Sequence, residues 1–184
     1  MSGIGTYADG DIQQVLFTQE QIRTRVRELG EQITRDFRDQ PPIMVCILKG
    51  AFIFFADLIR CVDLPLRIDF MAASSYGDGI VSKGEVHVIK DLPMDITGQK
   101  IMLVEDIIDS GRTLAYLKKL LLSRNAKKVS ITTLLDKPSR RVVDLKPDYC
   151  GFTIPDSFVI GYGLDYAEKY RNLPQIGVLS PDKI

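Results

Sequence analysis

Residues 101–114 hold a concentration of side chains that could bind a phosphorylated sugar. Four apolar residues lead into Glu105 and Asp106, and the string Asp109-Ser110-Gly111-Arg112-Thr113 follows shortly after. The hydroxyls of that string, with free N–H groups at a helix start, can bind a phosphate, and its glycine permits close approach of the backbone. A bare phosphate pocket would not include the acids. Adjacent carboxylates suit the neighbouring hydroxyls of a ribose and a hard cation such as Mg²⁺.

The elements around this segment are predicted to place it at the edge of a parallel sheet. Apolar residues at 101–104 indicate a buried strand, and leucines at helical spacing indicate a helix over 113–124. Further helices are predicted after Thr18, which forms a capping box with Gln21, and from Ala51 to about Ile59. The remaining predicted strands cover residues 43–48, 66–72, 85–89, 129–135, 158–160 and 176–179.

This alternation of helices with buried strands predicts an α/β fold with a mainly parallel, doubly wound sheet. Ligands of such folds lie beyond the carboxyl ends of the strands, where the 105–113 segment falls. Residues 1–13 are expected to be a loose arm, and residues 74–83 to be a mobile loop.

The composition is that of an ordinary globular enzyme. The 184 residues suit one domain, and 24 basic against 24 acidic residues give no electrostatic argument for binding nucleic acid or an anionic membrane. Three widely spaced cysteines, Cys46, Cys61 and Cys150, are expected to be free thiols. No signal peptide is recognisable and no apolar run approaches the roughly 18–20 residues that span a bilayer, so a cytoplasmic location is expected.

The 101–114 segment resembles the phosphoribosyl-diphosphate-binding loop of the type I phosphoribosyltransferases. Three further segments resemble the hypoxanthine–guanine branch of that family and occur in the same order. They are the turn Leu48-Lys49-Gly50, the pair Ser75-Tyr76, and Lys137 followed by the string 154–171. The resemblance implies that residues 1–184 form a single phosphoribosyltransferase domain, with a small hood formed by its N-terminal and C-terminal segments.

The resemblance also implies a role for each matching residue. It implies that phosphoribosyl diphosphate is bound by Leu48, Lys49, Gly50, Glu105, Asp106, Asp109, Ser110, Gly111, Arg112, Thr113 and Arg171. It implies a purine pocket of Lys137, Phe158, Val159 and Asp165, and Mg²⁺ at Glu105, Asp106 and Asp165. Ser75 and Tyr76 would begin a lid, and the Leu48–Lys49 peptide bond would be cis. Asp109 is expected to act as the general acid/base for the proton on N7 of the purine.

The reaction so implied is transfer of the 5-phosphoribosyl group to N9 of hypoxanthine or guanine, giving IMP or GMP and diphosphate. The phosphate loop departs from many members in having Ser110 and Arg112 where they have Thr and Lys, although a hydroxyl and a cation are kept. The preference among hypoxanthine, guanine and xanthine stays open. A homodimer or homotetramer is expected, with small molecules as the other partners.

Two alternatives to this enzyme remain open at this point. One is a regulatory protein on the same scaffold that binds nucleic acid. The other is a nucleotide-binding α/β domain without transfer activity, in which Lys137 and the string 158–165 would not form a working pocket.

Overall fold

The computed structural model describes residues 6–8, 10–75 and 86–184, which contain two β-sheets and three α-helices. The strands are β1 (Ile12–Phe17), β2 (Ile43–Leu48), β3 (Arg67–Ser75), β4 (Val86–Lys90), β5 (Lys100–Ile108), β6 (Lys128–Asp136), β7 (Tyr149–Thr153), β8 (Val159–Ile160) and β9 (Ile176–Leu179). The α-helices are α1 (Gln19–Asp36), α2 (Phe52–Ile59) and α3 (Arg112–Ser123). Short 3₁₀ turns cover Thr6–Ala8, Pro138–Arg140 and Pro181–Lys183.

The larger sheet has the strand order β4-β3-β2-β5-β6-β7. All its neighbouring strands are parallel except the edge strand β4, which is antiparallel to β3. Helix α2 connects β2 to β3, and α3 connects β5 to β6, so the chain leaves the two central strands in opposite directions. This arrangement confirms the predicted doubly wound α/β fold.

Alternate residues of the central strands are buried on opposite faces of the sheet. Met44 and Cys46 belong to the apolar cluster that includes residues of α1 and α2, whereas Ile43, Val45 and Ile47 belong to the cluster that includes residues of α3. A strand covered on both faces needs apolar residues throughout, which is why β2 has the uninterrupted sequence IMVCIL. The rigid centre of the sheet therefore ends at the carboxyl ends of β2 and β5.

The smaller sheet has the order β1-β9-β8 and is antiparallel. Beneath it lies a small apolar cluster that includes Ala8, Ile160, Leu173 and Leu179. This sheet joins an N-terminal strand to the C-terminal region of the chain. It holds β8 and the segment that follows it in place beside the larger sheet.

Two expectations from the sequence were wrong, and one further strand was missed. Residues 10–13 are not a loose arm, because Ile12 pairs with Leu179 in β1 and the Asp11 carboxylate accepts a hydrogen bond from the Tyr170 hydroxyl at 2.9 Å. Strand β5 does not end at residue 104 but continues through the two acids to Ile108. Strand β7 was not predicted. These strands depend on partners distant in sequence, which short-range patterns do not reveal.

Several smaller expectations can be compared with the structure. The capping box of Thr18 and Gln21 is present at the start of α1. The three cysteines are free. Ser74 and Ser75 are the last two residues of β3, so the expected mobile loop does not begin at residue 74. Residues 76–85, which include Tyr76, the rest of that loop and Glu85, lie outside the described residues. None of the helices in the described parts of the chain combines the length and apolar character needed to cross a bilayer.

Candidate active site

The two central strands of the larger sheet separate at their carboxyl ends. Pairing between β2 and β5 extends to Cys46 and Val104, after which β2 continues beside β3 and β5 beside β6. A cavity of about 470 Å³ lies at this separation, lined by the turn after β2 and by the end of β5. This is the position where doubly wound sheets bind ligands, because the crossover connections leave on opposite sides there.

The turn between β2 and α2 fits closely against the end of β5. Its Leu48–Lys49 peptide bond is cis, as the resemblance implied. Gly50 lies so close to the Asp106 carboxylate that a Cβ at this position would overlap it. A Cβ on Gly163 would in turn collide with the Gly50 carbonyl oxygen. Both glycines are therefore required by close approach of three segments that border the cavity.

Two adjacent carboxylates, of Glu105 and Asp106, lie half-buried in this cavity. Burial raises the pKa of Glu105 well above its ordinary value, and the negative charge of Asp106 raises it further. Burial also raises the pKa of Asp106, although hydrogen bonds from Glu105 and from the Ile107 N–H at 2.7 Å oppose the shift. Burial outweighs these contacts and the attraction of Arg171, so the pair is suited to hydroxyl donors or a cation from a ligand.

The segment 109–113, named here the phosphate loop, connects β5 to α3. Gly111 has φ of +80° in the left-handed region, which allows the chain to turn sharply into the helix. Asp109, Ser110, Gly111 and Thr113 line the 470 Å³ cavity. Arg112 does not line it: its side chain is exposed and its N–H donates a long bond of 3.4 Å to the Ser110 hydroxyl.

A tight loop over residues 161–171 closes the cavity from the other side. Arg171 forms an ion pair with Asp165 at 2.7 Å and donates a hydrogen bond to the Gly163 carbonyl at 2.8 Å. The Lys49 ammonium lies 3.2 Å from the Glu168 carboxylate, and this cation lowers the pKa of Glu168. Lys49, Asp165 and Arg171 all line the cavity, so charges of both signs surround it.

A second cavity, of about 360 Å³, adjoins the first. Lys137, at the end of β6, is buried with 6% of its surface exposed, and its ammonium lies 3.6 Å from the Asp109 carboxylate. Phe158 is 42% exposed and makes an edge-on contact with Tyr166, which leaves an aromatic face open to a planar ligand. Val159 also lines this cavity. One buried cation and one open aromatic ring suit a flat, polar heterocycle.

The two cavities meet at Asp106, Ile107, Asp109 and Asp165, which line both. Among the described residues, the structure thus brings the predicted site residues together around one continuous space, apart from Arg112. Sequence reasoning missed Ile107, Arg140 and Asp156. Arg140 and Asp156 form an ion pair of 2.7 Å at the border of the second cavity. The position of Arg140, a charged residue only three positions after Lys137, could have indicated that it also lines the second cavity.

The described residues supply no complete metal cage of their own. In the part of the chain that the structure describes, no three His, Cys, Asp or Glu side chains are arranged to hold a metal ion by themselves. Asp165 is engaged by Arg171 and by the Glu168 N–H at 2.9 Å. A cation at this site would depend on Glu105, Asp106 and oxygen atoms of water and substrate.

Comparison with known proteins gives a consistent result. Residues 14–167 match the family model described as a phosphoribosyl transferase domain. The chain is 54% identical over 171 residues to a protein of Bacillus subtilis named hypoxanthine-guanine phosphoribosyltransferase, covering 93% of this chain and 95% of that one.

Solved structures agree with this relative. A hypoxanthine phosphoribosyltransferase from Staphylococcus aureus matches with a TM-score of 0.94 and 46% identity, covering 98% of both chains. A hypoxanthine-guanine phosphoribosyltransferase from Bacillus anthracis matches with a TM-score of 0.86 and 47% identity, covering 92% of this chain and 99% of that one.

Proposed function

The chain belongs to the phosphoribosyltransferase family, and we propose that it transfers the 5-phosphoribosyl group of 5-phosphoribosyl 1-diphosphate to N9 of hypoxanthine or guanine. The products are IMP or GMP and diphosphate, so the enzyme would serve purine salvage. The observation that carries the proposal is the junction of the two cavities. One is bordered by the phosphate loop and the other by Lys137 and Phe158, and Asp109 lies on the border of both.

The 470 Å³ cavity suits phosphoribosyl diphosphate. The phosphate loop would bind the 5-phosphate through N–H groups and the hydroxyls of Ser110 and Thr113. Glu105 and Asp106 would accept hydrogen bonds from the two ribose hydroxyls, which would satisfy the half-buried carboxylates. The diphosphate would lie against the turn Leu48-Lys49-Gly50 and Arg171, where positive charge and backbone N–H groups are available.

The 360 Å³ cavity suits a 6-oxopurine. Lys137 would donate a hydrogen bond to the 6-oxo group, and Phe158 would stack on the ring. The backbone of Val159 would contact the pyrimidine edge. Asp165 would contribute at the junction, and its ion pair with Arg171 would link the base to the diphosphate side.

Asp109 would handle the proton on N7 of the purine. Its carboxylate is about half exposed at the junction, and the nearby Lys137 ammonium is 3.6 Å away. As N9 attacks C1 of the ribose, the bond to diphosphate breaks and positive charge develops on the sugar. Taking up or releasing the N7 proton adjusts the charge of the base as the bond forms.

Mg²⁺ is the cofactor that these residues fit best. Hard carboxylate oxygens without a histidine or thiolate favour Mg²⁺, which keeps several water and substrate ligands and does not need a protein cage. Glu105, Asp106 and, through water, Asp165 would hold it. When bound, the ion neutralises charge on the departing diphosphate.

The remaining expectations stay predictions within this proposal. We propose that the chain is one phosphoribosyltransferase domain whose hood contains the sheet β1-β9-β8, that it acts as a homodimer or homotetramer, and that its location is cytoplasmic. The nucleic-acid-binding alternative is not supported, because the relatives described above are named as phosphoribosyltransferases.

Steady-state kinetics with purified protein, phosphoribosyl diphosphate and Mg²⁺ tests the proposal. Hypoxanthine, guanine and xanthine are compared, with adenine and uracil as bases lacking the expected match to Lys137. Formation of IMP and GMP, with little product from adenine or uracil, is expected. Equal rates with all bases, or no nucleotide product, would contradict it.

A further inference from the structure

The geometry points to Arg141 as a positioning residue that fixes the phosphate loop and links it to the base pocket. This inference deepens the proposed function and rests on it for its kinetic consequence. Arg141 itself lines neither of the two cavities, so it would act through the loop and not by contact with a substrate.

The segment 137–142 is attached to the start of the phosphate loop by three successive hydrogen bonds. The carbonyl groups of residues 108, 109 and 110 each accept one bond. The donors are the Lys137 N–H to Ile108 at 3.0 Å, Arg141 Nε to Asp109 at 3.0 Å, and the Val142 N–H to Ser110 at 3.1 Å. Arg141 provides the middle bond, and it is the only one of the three made by a side chain.

These bonds set the direction of the loop amides. In a trans peptide unit the carbonyl and the following N–H point in opposite directions. Because the carbonyls of 108–110 point toward the segment 137–142, the N–H groups of 109–111 point away from it. Residues 109–111 line the 470 Å³ cavity, which lacks residues of 137–142 in its lining. The N–H groups of 109–111 are therefore directed to the side of the loop on which the proposed phosphate would bind.

Arg141 is itself held firmly. Its guanidinium forms an ion pair with Asp136 and donates to the Leu145 carbonyl, and the side chains of Arg141 and Asp136 are each only 13% exposed. A Cβ on Gly111 would lie 2.9 Å from Arg141 Cδ, so the loop glycine packs directly on this side chain. One arginine thus connects the residue before Lys137 to the backbone of Asp109.

Replacement of Arg141 should separate binding of the two substrates. Arg141→Met removes the central bond of the loop, so the KM for phosphoribosyl diphosphate should rise by about 10- to 100-fold, the range expected for loss of a charged hydrogen bond. The KM for hypoxanthine should change much less. In the ligand-free variant the Lys137 and Val142 amides, which donate to the carbonyls of residues 108 and 110, should exchange with deuterium faster than in the wild type.

Arg25 offers a matched control. Its Nε also donates a hydrogen bond to a backbone carbonyl, that of Gly151 at 2.9 Å, and a second guanidinium nitrogen donates to the Cys150 carbonyl at 2.8 Å. It forms an ion pair with the Glu28 carboxylate at 2.7 Å. These bonds lie between α1 and β7, away from both substrate cavities. Arg25→Met should lower the melting temperature without a selective rise in either KM.

Two further measurements keep the inference falsifiable. Arg141→Lys keeps a cation beside Asp136 but cannot also reach the Asp109 carbonyl, so it should fold and still show the KM defect. Adding guanidinium ion to Arg141→Ala should recover part of the phosphoribosyl diphosphate affinity. A KM unchanged in both Arg141→Met and Arg141→Lys, or a defect matched by Arg25→Met, would overturn the assignment.

The exchange experiment distinguishes failure of this inference from failure of the proposed function. Absence of transferase activity in the wild type would refute the function, whereas exchange of the Lys137 and Val142 amides reports the attachment of the loop without any catalysis. Exchange that is as slow in Arg141→Met as in the wild type would refute the positioning role even if the enzyme is active.

Discussion

The two cavities of the candidate active site are built from the chain in different ways. They are named here after their proposed ligands: the cavity of about 470 Å³ is the phosphoribosyl cavity, and the cavity of about 360 Å³ is the base cavity. The phosphoribosyl cavity is formed mainly by two short continuous segments, 47–50 and 105–114, which follow neighbouring parallel strands. The base cavity combines Lys137 from the end of β6 with residues 156–159 and 164–165, which the smaller sheet holds in place. The first cavity is local in sequence, whereas the second depends on tertiary structure.

The difference extends to the chemistry of binding. The phosphoribosyl side offers backbone N–H groups and a pair of half-buried acids, which suit the hydroxyls, phosphates and cation of the proposed ligand. The base side offers one buried ammonium and an open aromatic ring. Changes at the junction should therefore affect turnover, while changes confined to one cavity should affect the KM of one substrate.

Removal of the divalent cation should have the largest effect. Chelation by EDTA should reduce activity to background, because the charge on the departing diphosphate would then lack the metal ion proposed to neutralise it. Steady-state rates before and after addition of excess Mg²⁺ measure the effect. Activity that survives thorough chelation would show that the phosphoribosyl side does not need the metal.

Asp109→Asn should have the next largest effect. The substitution keeps shape and hydrogen bonding but removes basicity at the junction. If Asp109 handles the N7 proton, kcat should fall by about 10-fold or more, up to the roughly 10²–10⁴-fold range of general acid–base catalysis. The KM for phosphoribosyl diphosphate should change little.

Two other outcomes for Asp109→Asn would contradict its proposed catalytic role. A near-normal kcat, or a defect confined to phosphoribosyl diphosphate binding, would make Asp109 a residue that only shapes the phosphate loop. The matched control is Asp156→Asn, at the border of the base cavity. It removes the exposed ion pair with Arg140 and should leave the pH dependence of kcat unaltered.

The phosphoribosyl side was the more predictable from sequence. Each element of it follows directly from a neighbouring pattern: an apolar strand, a pair of acids, a glycine and an amphipathic helix. Two details differ from expectation: β5 includes Glu105 and Asp106, and Arg112 does not line the cavity. The uninterrupted apolar run ends at Val104, but pairing with β6 continues through Glu105 to Ile108 and keeps the strand extended beyond that run.

The base side could not be assembled from sequence patterns. Lys137, Phe158 and Asp165 belong to separate segments, and only the family resemblance grouped them. The strand β1, which supports the smaller sheet, was missed because its partner β9 lies at the other end of the chain. Arg141 was missed for the same reason, because its proposed role depends on a hydrogen bond to the Asp109 carbonyl that sequence spacing does not predict.

Replacing one lysine in each cavity should have smaller effects, on the KM of a different substrate in each case. Lys137→Met removes the buried donor of the base cavity, so the KM for hypoxanthine should rise by about 10-fold or more while that for phosphoribosyl diphosphate changes less. Lys49→Met, in the other cavity, should give the reverse pattern. Steady-state kinetics with each substrate varied in turn measures both. Equal effects of Lys137→Met on the two substrates would make that lysine structural.

The smallest expected effect concerns stability of the ligand-free protein. Burial and the charge of Asp106 raise the pKa of Glu105 above its ordinary value of 4.5. The folded state then binds a proton more tightly than the unfolded state, so stability falls as pH rises from about 4.5 toward the raised pKa. Glu105→Gln removes this cost and should raise the melting temperature at neutral pH by about 2–8 °C, equivalent to about 1–2 kcal/mol.

Calorimetry at two pH values, with EDTA present, tests this expectation. The gain from Glu105→Gln should shrink below pH 4.5, where the glutamate is protonated in both states. Glu31→Gln, an exposed position on α1, should change stability by no more than about 0.5 kcal/mol at either pH. With Mg²⁺ and phosphoribosyl diphosphate the order should reverse, because ligand binding stabilises only the protein that retains the acid. A Glu105→Gln protein that is less stable than the wild type in EDTA would contradict this expectation. It would show that the acid pair stabilises the ligand-free fold and does not lower its stability.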